Sequence, residues 1–75
     1  MSEEFKLMVT RTTKGEIEIV GNRAGLLGLA EMCEGLAGLT DDEARTAANH
    51  WHVDEAMNNA EPGSMPLTIR IDPDL

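Results

Sequence analysis

The chain is short of nearly everything that usually holds a small domain together. It has one cysteine, Cys33, so no disulfide can close within its 75 residues. A lone cysteine also fits a reducing compartment. Tyrosine is absent, and Phe5 and Trp51 are the only large aromatics. The longest apolar run, Ala24 to Ala30, is far too short to cross a bilayer. Met1 to Lys6 is acidic where a secretory leader would be basic. These absences together predict a soluble cytoplasmic protein with no membrane partner. A chain of this length is expected to form a single domain, residues 1–75, with a small core. Such domains often lean on a metal or on a second copy of themselves.

Basic residues are scarce as well. Six Lys and Arg stand against fourteen Asp and Glu, a net charge of -8. The deficit is uneven: residues 1–37 hold four basic and six acidic side chains (net -2), and residues 38–75 hold two and eight (net -6). An acidic surface repels phosphate backbones and anionic lipid, so no nucleic-acid partner is expected. It draws in a basic protein and speeds its arrival, although negative charge also serves plain solubility. No phosphate-binding glycine loop is present, because the glycines lie at helical spacing and no lysine follows them.

What is there reads as an α+β domain. Phe5 to Arg11 alternates, with Phe5, Leu7 and Val9 on one side, and Glu16 to Val20 alternates with Ile17 and Ile19 inward. Between them Thr12-Thr13-Lys14-Gly15 reads as a tight turn, which predicts an antiparallel hairpin. Asn22 is a candidate N-cap for a helix over Ala24 to Leu36. Leu26, Leu29, Ala30, Cys33, Leu36 and Ala37 form its apolar stripe. On that stripe Cys33 is expected to be inert packing, not a nucleophile. Gly28 and Gly35, seven residues apart, could admit a neighbouring backbone closely, and Gly38 suits the C-cap. Thr40-Asp41-Asp42-Glu43 is a capping-box pattern that predicts a short helix over Asp41 to Ala48. Asn49 to Asp54 reads as a third strand, Glu55 to Ser64 as a loop, and Pro66 to Ile71 as a last strand with Leu67, Ile69 and Ile71 inward. The expectation is a four-stranded, mainly antiparallel sheet covered on one face by one amphipathic helix, a two-layer sandwich in the order ββα(α)ββ.

The stretch with most chemistry is Asn49-His50-Trp51-His52-Val53-Asp54. On a strand, His50, His52 and Asp54 share one face, and Trp51 and Val53 the other. Two imidazoles and a carboxylate at this spacing are the start of a metal site. A mononuclear centre generally needs another ligand from elsewhere, and Glu18, Glu55 or Glu61 could serve. The plainer reading is two exposed histidines beside a carboxylate, with no cofactor. Trp51 is expected in the core, an interface anchor being the other role open to it.

Several pieces stand together in order: Ile17-x-Ile19-x-Gly21-Asn22, Gly25-Leu26-x-x-Leu29-Ala30, His50-x-His52-x-Asp54, Pro62-Gly63-Ser64 and Leu67-x-Ile69. In this order and spacing the chain resembles the immunity proteins of bacterial polymorphic toxin systems, the family numbered thirty-two, over about residues 16–71. The resemblance implies a cytoplasmic protein that binds and neutralises a cognate toxin and is not an enzyme. The acidic half would suit a basic target such as a nuclease, with Asp41, Asp42, Glu43, His50, His52, Asp54 and Glu55 as candidate contacts. The other readings open to the sequence are a metal-binding protein using His50, His52 and Asp54, and a homodimer built on an open sheet face or edge strand.

Overall fold

The computed structural model describes residues 4–75. Among them the elements run β1 (Leu7–Arg11), β2 (Ile17–Gly21), α1 (Arg23–Ala37), α2 (Asp41–Ala44), β3 (His50–Val53) and β4 (Leu67–Arg70). The fold is α+β. β1 and β2 form an antiparallel hairpin with Val9 opposite Ile19. Its turn is closed by Thr12 N–H to Glu16 O (2.8 Å) and Gly15 N–H to Thr12 O (2.9 Å). Gly15 takes φ +84°, the left-handed value that three-residue hairpin loops favour. β3 and β4 form a second antiparallel pair, with Trp51 opposite Ile69.

The four strands do not make the single sheet expected. They stand as two separate two-stranded sheets, β1-β2 and β3-β4. The reason lies in the segment that joins them. The free edge of β1 is met by residues 61–65: Glu61 N–H donates to Leu7 O (2.8 Å) and Met65 N–H to Val9 O (2.7 Å). Val9 N–H donates to the Ser64 hydroxyl at 2.8 Å. Pro62 has no N–H to give and Gly63 turns at φ +88°. A side chain therefore substitutes for a backbone acceptor and no regular ladder continues. The edge of β1 is satisfied all the same, and the two hairpins are tied together.

α1 begins on Asn22, whose side-chain oxygen accepts from Gly25 N–H (2.8 Å) and Lys6 N–H (3.2 Å) and whose Nδ2 donates to Glu4 O (2.6 Å). One residue thus caps the helix and pins it to the strand leading into β1. The helix is rotated from the stripe that hydrophobicity marks. Gly25 and Leu36 are buried and Gly28, Leu29 and Met32 half-buried, while Leu26, Ala30, Cys33 and Ala37 are exposed. Close approach explains the rotation. A Cβ on Gly25 would collide with the Lys6 carbonyl, and one on Gly28 with the Phe5 ring. The side bearing these two glycines must therefore turn inward. Gly35, by contrast, has open space around it and admits no neighbour. Cys33 is exposed, not core packing.

The short helix stops at Ala44, not Ala48. Arg45 N–H and Thr46 N–H fold back on Asp42 O (3.2 Å) and Glu43 O (3.0 Å), and the Thr46 hydroxyl also takes Glu43 O (2.7 Å). The capping box at its start is complete: Thr40 N–H to Glu43 Oε1 at 2.9 Å, Glu43 N–H to Thr40 Oγ1 at 3.2 Å.

The buried apolar residues are Leu7, Val9, Leu36, Ala44 and Val53. Leu7 and Val9 alternate on β1 as expected. Ile17 and Ile19 lie on the same face yet are 53% and 43% exposed. α1 departs from the Gly21 end of β2 and lies over Lys6 and Phe5, so the turn end of the hairpin stays uncovered. Each fully buried Leu or Val is worth about 1.5–3 kcal/mol, and few residues contribute.

Candidate interaction surface

β3 divides its side chains as its period demands. Val53 is buried, and Trp51 points to the same side, sharing a shallow cleft with Phe5, Gly28, Glu31 and Met32. Trp51 is 46% exposed there, so it is not a core residue. Phe5 occupies the space beside Gly28 that a side chain on the helix would otherwise fill, and Trp51 shares the cleft with both.

The opposite face carries His50 and His52, with Arg70 and Thr68 as their cross-strand partners on β4. The two rings meet edge to face, centroids 4.7 Å apart. His52 Nδ1 lies 3.2 Å from Thr68 Oγ1, and His50 Nδ1 3.1 Å from Asn49 Oδ1. The structure brings the two histidines together but does not add Asp54 to them. Asp54 Oδ1 accepts from Met57 N–H (2.8 Å) and so starts the turn that leaves the strand. Among the described residues no three His, Cys, Asp or Glu side chains gather as metal ligands would. The basic neighbour Arg70 is paired weakly with Asp72 at 3.8 Å.

The acidic candidates fall at the two ends of β3. Asp41, Asp42 and Glu43 are exposed on the first turn of α2. That helix is joined to the start of the strand by Asn49 Nδ2 donating to Ala44 O (2.9 Å). The Glu43 carboxyl is held below its usual pKa by the hydrogen bonds from the Thr40 backbone and side chain. Asp54 and Glu55 stand at the far end, where Glu55 Oε2 accepts from Gly63 N–H at 3.2 Å. Asn59 closes this loop, taking Asp54 N–H (2.9 Å) and donating to His52 O (2.8 Å). Thus Glu43, Asp54 and Glu55 already carry structural hydrogen bonds. The side chains of Asp41 and Asp42 make none among the described residues.

A model of the Immunity protein 32 family matches residues 16–71. The chain belongs to the Immunity protein 32 family. The match spans β2 through β4 and includes α2, the histidine strand and the loop that ties the hairpins together. No curated protein and no solved structure matches this immunity-family chain. The family assigns a toxin-neutralising role in general terms and names no toxin. No helix among the described residues is long and apolar enough to cross a membrane.

The alternation that separates His50 and His52 from Trp51 and Val53 was readable from the sequence. The exposure of Trp51 was not, because the cleft it lines brings together Phe5, the helix residues Gly28, Glu31 and Met32, and β3, which lie far apart in the chain.

Proposed function

We propose that this chain is a cytoplasmic, single-domain immunity protein that binds a cognate bacterial toxin and blocks it by occupancy, turning over no substrate of its own. The observation that carries the reading is the family match over residues 16–71. The distribution of charge supports the choice of surface. Eight acidic side chains against two basic ones lie in residues 38–75, and those of Asp41, Asp42 and Glu55 are exposed. A basic toxin, such as a nuclease whose own surface meets phosphate, is the target this charge fits. Asp41, Asp42, Glu43, Asp54 and Glu55 steer it to the two ends of β3. His50 and His52 contact it between them, while half-exposed Trp51 lies on the opposite face of β3, outside this surface.

The test is co-expression with the product of the adjacent gene. The reading expects relief of that product's toxicity and a complex that survives purification. A product that stays toxic and unbound refutes it. A metal role for His50, His52 and Asp54 has no supporting geometry, since the carboxylate serves the turn at Met57.

A further inference from the structure

Bonding patterns set which backbone groups each strand leaves for a partner. In the first hairpin the bonds Thr12 N–H to Glu16 O and Asn22 N–H to Lys6 O fix the phase. Residues 18 and 20 of β2 therefore face β1, and Ile17, Ile19 and Gly21 turn their N–H and C=O groups outward. In the second hairpin Ile71 N–H to Asn49 O sets the phase and leaves the backbone groups of His50 and His52 facing out on β3. That edge is blunted, because Asn59 occupies His52 O. The far edge of β1 is taken by residues 61–65. The far edge of β4 begins on Pro66, which has no N–H, and carries the charged Arg70. Among the described residues, β2 alone presents a flat, unprotected edge, and it does so with apolar side chains: Ile17 at 53%, Ile19 at 43% and Val20 at 48% exposure. Natural proteins rarely leave such an edge unpaired.

We infer that β2 pairs antiparallel with β2 of a second copy, on a two-fold axis through Ile19, to give a homodimer with a continuous sheet β1-β2-β2-β1. The register is self-complementary on every count. With Ile19 opposite Ile19, Ile17 falls opposite Gly21, so each outward-facing residue meets another and all three pairs are hydrogen-bonded. Ile17 of one copy comes opposite Gly21 of the other, where it meets Leu26, which packs next to Gly21 and is 47% exposed. On the opposite face Glu18 meets Val20 and not its own copy. The two Glu18 residues lie on a diagonal, their backbones about 7–8 Å apart.

Charge and area point to the same occupant. β2 lies in the half of the chain with net charge -2, the half that two acidic copies can bring together at least cost. The accessible surface is 5560 Å² at 8.2 kDa, against about 4500 Å² for a compact monomer of that mass. Pairing β2 with Leu26 alongside buries less than about 1200 Å² in total, the range of weak and transient interfaces. The dimer stands independently of the toxin reading and leaves β3 and α2 free on each copy.

Sedimentation equilibrium of the full chain from about 1 to 500 µM tests the dimer. A monomer–dimer equilibrium is expected, strengthened by added salt because both copies are acidic. Ile19→Asp, at an exposed position, places two carboxylates on the axis and should raise the dissociation constant at least tenfold with an unchanged far-UV spectrum. Glu18→Gln should lower it. In a Cys33→Ser background, Ile19→Cys should be joined to its copy by a short bis-maleimide, since a hydrogen-bonded antiparallel pair holds the Cβ atoms about 5.5 Å apart, near enough for the linker and too far for a direct disulfide. Thr13→Cys at the hairpin tip should not. A monomer throughout that concentration range overturns the inference, as does association indifferent to Ile19→Asp. A β2 edge protected from hydrogen exchange by the adjacent-gene toxin, in a chain that stays monomeric alone, would instead assign the edge to the toxin and overturn the homodimer.

Discussion

Gly25→Ala and Gly35→Ala lie ten residues apart on the same helix and should have opposite effects. In an open helix interior, Gly to Ala gains about 0.5–1 kcal/mol by reducing the freedom of the unfolded chain. Gly35 has nothing within 4 Å of where its Cβ would sit, so the full gain is expected there. At Gly25 the added methyl meets the Lys6 carbonyl, with the carbonyl carbon at 2.7 Å and the oxygen closer still. These are backbone atoms held by Asn22 through Lys6 N–H and Lys6 O, so they cannot rotate aside. Overpacking against a fixed wall costs about 1–3 kcal/mol or more, which exceeds the propensity gain. The net effect is a loss of about 1–2 kcal/mol from a total near 4–11 kcal/mol for a chain of this size. At about 4–8 °C per kcal/mol, Gly35→Ala should raise Tm by several degrees and Gly25→Ala should lower it by about 5–15 °C. Urea melts and thermal scans of both variants measure this. Equal stabilisation by the two substitutions would refute the packing of α1 on the Lys6 backbone, and with it the account of the helix's rotation.

Three other outcomes follow from single contacts. Ser64→Ala removes the acceptor of the part-buried Val9 N–H and should cost about 1–2 kcal/mol in a urea melt, with exchange at the Val9 amide rising most. Because the Glu43 carboxyl is held below its ordinary pKa by Thr40, its contribution is present above the unfolded-state pKa and fades as pH falls through the lowered folded value. Glu43→Gln should therefore flatten the acid limb of the stability curve, and side-chain carboxyl NMR should find the wild-type Glu43 titrating below an ordinary glutamate. Asp41→Asn with Asp42→Asn, neither side chain bearing a hydrogen bond among the described residues, should leave stability within about 0.5 kcal/mol. The pair should slow toxin association about three- to tenfold at low salt in stopped-flow mixing.

Local chemistry was legible and long-range geometry was not. The hairpin turn at Thr12–Gly15, the Asn22 cap, the Thr40–Glu43 box and the two-faced alternation of β3 depend on residues within a few positions of one another. The rotation of α1 was hidden because hydrophobicity marks Leu26, Ala30, Cys33 and Ala37, whereas two glycines and the Phe5 ring decide the approach. The division into two sheets was hidden because Pro62-Gly63-Ser64 reads as a plain loop. Nothing local shows that its serine stands in for a strand. For the candidate surface, the histidines paired as their spacing required, but Asp54 was claimed by the next turn through Met57, a bond between neighbours that competes with any shared site.

Titrating the purified adjacent-gene toxin with this chain, while following both binding and the toxin's own activity, addresses the central claim most directly. The account predicts saturable loss of toxin activity in step with complex formation, weakening as salt rises, and no product formed from any toxin substrate by the chain alone. A toxin fully active when saturated with the chain, or turnover by the chain itself that vanishes in His50→Ala or His52→Ala, would contradict it.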